Sequence, residues 1–173
     1  MFKNIHSFSP AALILTGLLG VVAANAEGPA CPYTLESLKG SYTVLVNYGA
    51  NVALGLQIET LDGKGNLTRT GLVNQPTAGS TTGARTVAPV TSNGTYTVNC
   101  DGTGTINRIV TRADGTKATA SDDFLVTEAI QSHGGFGNIL LATTLVDAQR
   151  DPSVIIPGGI FVTRVHTRRF EFR

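Results

Sequence analysis

The sequence has no tryptophan, a single methionine at its first position, and two cysteines in 173 residues. Charged side chains are scarce at 14%, and 13 basic against 12 acidic residues leave no strongly basic face, which argues against a nucleic-acid binder. No block of like charge occurs, and the wealth of β-branched residues is the opposite of a disordered composition. Helical periodicity is nearly missing as well. Past the first 26 residues its best candidate is one turn at 35–39, with Thr34 as a cap. There is no internal repeat and no sign of a second domain.

The long apolar run is confined to the start. Lys3, the apolar residues 11–24 and the small-x-small triplet Ala24-Asn25-Ala26 read as a secretory signal peptide cleaved after Ala26. Thr16, Gly17 and Gly20 interrupt that run, which falls short of the roughly 20 apolar residues a spanning helix needs. No later stretch approaches that length, so no transmembrane span is expected in the mature chain. Residues 27–173 are then a single exported domain, formally uncharged once Lys3 is removed, secreted or periplasmic. In an oxidising compartment the isolated pair Cys31 and Cys100 is expected to form a disulfide, with two free thiols as the alternative.

What is present is β-structure with turn chemistry between the segments. Period-2 alternation marks 41–48, 52–61, 66–74, 87–99 (with a break expected near Ser92-Asn93-Gly94), 105–112, 118–128, 138–146 and 159–170. Asp62-Gly63-Lys64-Gly65, Asp101-Gly102-Thr103-Gly104 and Ala113-Asp114-Gly115-Thr116 supply tight turns, and the small polar stretch 76–83 reads as the longest mobile loop. Eight segments on short connections favour antiparallel neighbours, and closing them removes both sheet edges. The expected fold is all-β: a single eight-stranded antiparallel up-and-down barrel, with a two-sheet β-sandwich as the alternative. Eight strands enclose a space just wide enough for side chains or one small ligand.

Leu38-Lys39-Gly40-Ser41-Tyr42, the hairpin Leu61-Asp62-Gly63-Lys64-Gly65-Asn66-Leu67, and residues 94–105 (Gly-Thr-Tyr-Thr-Val-Asn-Cys-Asp-Gly-Thr-Gly-Thr) carry a resemblance. In the order of its elements the chain resembles exported bacterial proteins of unknown function with a layout like that of calycin-like barrels and the allene oxide cyclase and dirigent barrels. The resemblance implies a barrel that binds, orients or isomerises an apolar substrate inside it.

The usual catalytic patterns are absent. There is no Gly-x-Ser-x-Gly, the two later histidines His133 and His166 lack ligand-like spacing, and Asp122-Asp123 fall on opposite faces of a strand. Gly102-Thr103-Gly104 joins two strands, whereas a phosphate cradle precedes a helix. No cofactor or metal is expected.

Charges within the strands are more informative. Gln57 and Glu59 share a face with Gly55 and Leu61, Arg69 with Leu67 and Val73, Arg108 with Ile106 and Val110, Glu128 with Phe124 and Val126, and Arg164 with His166 and Arg168. If those faces look outward, the charges are solvated. If they look inward, burial demands that each be paired, which predicts a Glu–Arg pair inside the barrel. On the inward reading Glu59, Arg108 and Arg164 would fix a ligand's polar end while Tyr42, Tyr48, Phe124 and Phe161 cover its body. The expected function is binding of an apolar or amphipathic small molecule without catalytic machinery. The alternatives are a cyclase- or isomerase-like enzyme using Glu59, Glu128 or a tyrosine, and a cell-surface structural or interaction protein.

Overall fold

The computed structural model describes residues 31–49, 52–132, 139–152 and 161–170. The expected leader with its cleavage point after Ala26, and His133, lie outside the described residues. A 3-10 turn, Leu35–Leu38, precedes β1 (Gly40–Asn47), β2 (Leu54–Leu61), β3 (Asn66–Pro76), β4 (Arg85–Val98), β5 (Thr103–Arg112), β6 (Lys117–Gln131), β7 (Leu140–Gln149) and β8 (Thr163–Arg168). Each strand pairs antiparallel with the next, and β8 returns to pair with β1, Val44 opposite His166 and Val46 opposite Arg164. The fold is therefore the closed up-and-down barrel, not the sandwich.

Local chemistry sets the connections. In the turns after β4 and β5 the triplet Asp-Gly-Thr recurs. Asp101 Oδ1 accepts from Thr103 N at 3.0 Å and Thr103 Oγ1 at 2.7 Å, and Asp114 Oδ1 accepts from Thr116 N at 2.9 Å and Thr116 Oγ1 at 2.7 Å. The intervening glycines, φ +85° at Gly102 and +81° at Gly115, take the left-handed conformation that a short aspartate-capped turn requires. The strands beside the connection after β3 run further than expected, β3 to Pro76 and β4 from Arg85, and the loop between them falls one residue later than 76–83. Thr77 N donates to Ala84 O at 2.9 Å, and Ser80 Oγ accepts from Ala84 N at 3.0 Å.

The break expected at Ser92-Asn93-Gly94 does not occur. Ser92, Asn93 and Gly94 hold register with Arg69, Thr68 and Leu67 on one side and with Val110, Ile109 and Arg108 on the other. Gly94 is needed there for space. A Cβ at that position would press on the Asn107 carbonyl and lie 2.7 Å from Arg108 Cα, so the glycine lets β4 curve closely over β5. A second departure comes from a register shift between Val126, Glu128 and Ala129. It puts Glu128 on the exposed surface instead of in phase with Phe124 and Val126.

Inside, the barrel is layered. At the end holding the 3-10 turn, Leu38, Tyr42, Leu61, Leu67, Tyr96, Ile106 and Ala142 form an apolar plug. The Tyr42 hydroxyl lies 2.9 Å from Leu38 O and accepts from Arg168 Nη2 at 2.6 Å, and Arg168 also donates to the carbonyls of Lys39 and Ala142. The Cys31–Cys100 disulfide, spanning 69 positions, fastens the segment before the turn to the β4–β5 connection. The opposite end is a mouth.

The outer face carries one apolar row made of directly opposed positions: Leu125, Val146, Val165, Leu45, Leu56, Leu72 and Pro89. The neighbouring row, Thr167, Thr43, Ile58, Thr70 and Thr91, is mainly threonine. Leu54, Ile58, Val87, Ile109 and Ile130 are exposed as well. No helix among the described residues is long and apolar enough to cross a membrane.

Candidate functional site

Strand alternation sends Glu59, Arg69, Arg108, Asp122, Asp147, Arg164 and His166 into the barrel, where each is at most 5% exposed. The faces carrying Glu59, Arg69, Arg108, Arg164 and His166 look inward, and these charges are paired as burial requires, whereas Glu128 is exposed.

They form a single chain of alternating sign. Arg69 donates through Nε at 2.9 Å and through Nη2 to Glu59 Oε2. Glu59 Oε1 is 2.9 Å from His166 Nδ1, and His166 Nε2 is 2.9 Å from Asp147 Oδ2. Asp147 Oδ1 accepts from Arg164 Nη1 at 2.8 Å, and the same nitrogen reaches Asp122 Oδ1 at 2.9 Å. Arg108 closes the chain, donating to both Asp122 oxygens, 3.1 Å from Nη2 to Oδ1. The sequence runs cation, anion, cation from Arg69 to Arg108, with cations at both ends.

This arrangement sets the protonation states. Burial opposes ionisation of Glu59, but the Arg69 guanidinium and His166 outweigh it and hold the carboxyl at about 2. Burial likewise opposes ionisation of Asp147, which the His166 hydrogen bond and the Arg164 charge hold well below the usual carboxylate range. For His166, burial disfavours the charged ring, yet the Glu59 charge and the bonds to Asp147 and Glu59 raise its pKa above the ordinary 6.5. A carboxylate at each ring nitrogen is satisfied only when both nitrogens donate, so the geometry calls for imidazolium. Arg108, desolvated and facing Arg164 and Arg69, falls to about 10 and stays charged near neutrality.

Above the belt lies the mouth, which holds two cavities. One of about 280 Å³ is walled by Tyr48, Val73, Pro89, Val90, Val110 and Arg112. The other, about 210 Å³, shares Tyr48, Val110 and Arg112 and reaches Arg108, Gln149 and Arg164. Between Tyr48 and the belt lies a crevice of about 20 Å³, lined by Gln57, Arg69 and Ser92 among others. That is room for about one water molecule. Burial raises the Tyr48 hydroxyl pKa, although Arg164, Arg108, Arg69 and Arg112 all pull it down. A broader hollow of about 460 Å³ lies on the outer surface over β4–β6, edged by Asn93, Thr95, Asn107, Thr119 and Ser121.

The residues singled out in the sequence thus separate by depth. Tyr48, Arg108 and Arg164 line the mouth, Glu59 sits in the belt, and Tyr42 belongs to the plug. Phe124 is buried beside Gly104, where only a glycine leaves room for its ring. Phe161, 63% exposed just before β8, is not brought to them. Asp122, Asp147 and Arg112 were not among the candidates. Asp122 in phase with Phe124, and Asp147 in phase with Leu145, were the available signals.

Among the described residues no group of three His, Cys, Asp or Glu is disposed to hold a metal ion. Comparisons with known protein families, with curated proteins and with solved structures find no match for the chain.

Proposed function

We propose that the protein is an exported binding barrel that takes a small apolar or amphipathic molecule at its mouth and performs no chemistry on it. The observation that carries this reading is the pair of cavities sharing Tyr48, Val110 and Arg112, the first walled mainly by apolar side chains and the second mixed, with Arg108, Arg164, Gln149 and Asp151 in its lining. The belt of mutually paired charges beneath them gives a floor against which a ligand can seat. A calycin-like layout fits the same use, and the leader at residues 1–26 together with the Cys31–Cys100 disulfide supports a place outside the cytoplasm.

An isomerase reading has less support. It needs a carboxyl or phenol that trades protons at the cavity, whereas Glu59 and Asp147 are held ionised by their partners, Glu128 is exposed outside the belt, and burial raises the Tyr48 pKa.

The test is a titration of the mature chain with fluorescent fatty-acid and polyene probes. Saturable enhancement that disappears when Val110→Glu fills the mouth with charge is the expected result. No saturable signal from any probe would count against the proposal.

A further inference from the structure

Resting on the reading of the mouth as a ligand site, we infer that its ligand is an organic anion, a small carboxylate with an apolar body, and that Arg112 is the residue that recognises it. Arg112 stands at the end of β5, and its side chain lines both cavities. Its Nη1 donates to Thr116 Oγ1 at 3.1 Å, while Nε and Nη2 are buried with no hydrogen-bond partner. No other arginine among the described residues has buried, unbonded nitrogens.

Nε and Nη2 form one edge of the guanidinium, two nearly parallel N–H groups spaced to match the two oxygens of a carboxylate. Elsewhere in this protein the same edge is in use. Arg69 turns it to Glu59, and Arg150 to Asp123, with Nε–Oδ2 at 2.9 Å and Nη2–Oδ1 at 2.6 Å. Arg112 presents that edge without a carboxylate, at a site where desolvated and unsatisfied N–H groups are costly. The Thr116 hydroxyl is its one side-chain hydrogen bond, and the exposed Asp114 carboxylate interacts with its charge without bonding to it, so turning into either cavity costs that bond and a solvent-screened attraction.

The surrounding charge favours the same occupant. With His166 protonated, the belt holds Arg69, Arg108, Arg164 and His166 against Glu59, Asp122 and Asp147. Arg112 adds to the positive excess. Two aspartates stand at the rim, Asp114 and Asp151, both exposed, and Asp114 Oδ1 is already taken by Thr116. An anion at the mouth offsets part of that positive excess.

The experiment uses the mature, disulfide-bonded chain and three molecules of one shape: 4-phenylbutyrate, 4-phenylbutanol and 4-phenylbutylamine. Affinities are read from Tyr48 and Val110 resonances, and the Arg112 Nε–H signal reports contact with the edge. The acid should bind tighter than the alcohol by about tenfold or more, shift the Arg112 signal saturably, and outbind the amine by a wider margin. In Arg112→Gln the acid should lose its advantage and bind no tighter than the alcohol does to the same variant. Arg112→Lys, which keeps the charge but not the fork, should retain only part of the preference. Equal binding of acid and alcohol to the native chain overturns the inference and leaves the binding barrel standing. A preference for the acid that survives in Arg112→Gln overturns the assignment to Arg112. If none of the three moves the mouth resonances, the ligand site itself is refuted, and the inference with it.

Discussion

His166 on β8 and Asp147 on β7 meet inside the barrel with Nε2 and Oδ2 2.9 Å apart, and the opposite ring nitrogen is already committed to Glu59. Two carboxylates from different strands therefore share one imidazolium. Arg69, on the far side of Glu59, is the cation that competes with it. The His166 pKa is raised above 6.5 in the folded state, so its stabilisation is complete below that value and is lost as pH climbs through the folded pKa. Glu59 and Asp147 are depressed from 4.5 and 3.8, so their contribution is complete above those values and is lost as pH drops toward about 2. Stability should peak at roughly pH 5–6.5 and decline on both sides. Urea midpoints between pH 3 and 9 check this, and a profile flat from pH 6 to 9 in the native chain contradicts it. His166→Gln should remove the alkaline limb.

Breaking the belt on one side should be severe. Glu59→Gln leaves Arg69 buried without its counter-charge, an effect worth roughly 3–5 kcal/mol. The double change Glu59→Leu with Arg69→Met should recover only part of that loss, since it removes the uncompensated guanidinium but leaves His166 Nδ1 without its carboxylate. Equilibrium unfolding of Glu59→Leu, Arg69→Met and the double variant forms the cycle. Strictly additive losses would mean that the two side chains are independent.

The glycines should not be equivalent. Gly94→Ala pushes a methyl group into the backbone of β5 and should cost roughly 2 kcal/mol or more, as overpacking does. Gly79→Ala meets nothing within 4 Å and carries only the strain of φ +73°, about 1 kcal/mol. Thermal melts of both variants should rank them in that order.

Removing the Cys31–Cys100 bond frees a span of 69 positions, for which chain entropy gives about 4 kcal/mol. The loss should be felt first at the plug, where Tyr33 lies against Gly102. Hydrogen exchange of Ser37 N, bonded to Thr34 O, and Lys39 N, bonded to Glu36 O, should accelerate in Cys31→Ser/Cys100→Ser before exchange in the belt strands does. Uniform acceleration would show that the bond acts on the whole barrel.

Arg112 should trade stability for binding. Arg112→Met removes two buried donors that lack partners, and should raise unfolding free energy by about 1 kcal/mol while abolishing selection for an acid. A destabilised Arg112→Met would mean that the guanidinium has a structural partner.

The barrel could be read from the chain because its signals are local. The Asp-Gly-Thr turns fix where strands end, and alternation in β2 and β8 puts Glu59 with Gln57, and His166 with Arg164, on one side each. Which side faces in was undetermined, since solvated and interior charges alternate identically along a strand. It becomes determined only on closure, when Glu59 and His166, 107 positions apart, come into contact. Glu128 was misplaced for a related reason: a bulge shifts phase by one residue and leaves no mark in composition. Ser92-Asn93-Gly94 reads as a turn because its residues are turn formers. Tertiary crowding against Asn107 and Arg108 puts the same glycine to a different use.

The belt has one more implication. The paired side chains from Arg69 to Arg108 stand between the apolar plug at one end and the mouth at the other, so an ionic layer divides the interior in two. Its two ends can be redesigned separately: loops and mouth side chains exchanged for another guest on one side, anchors and tags attached on the other, with the ionic partition insulating each from the other.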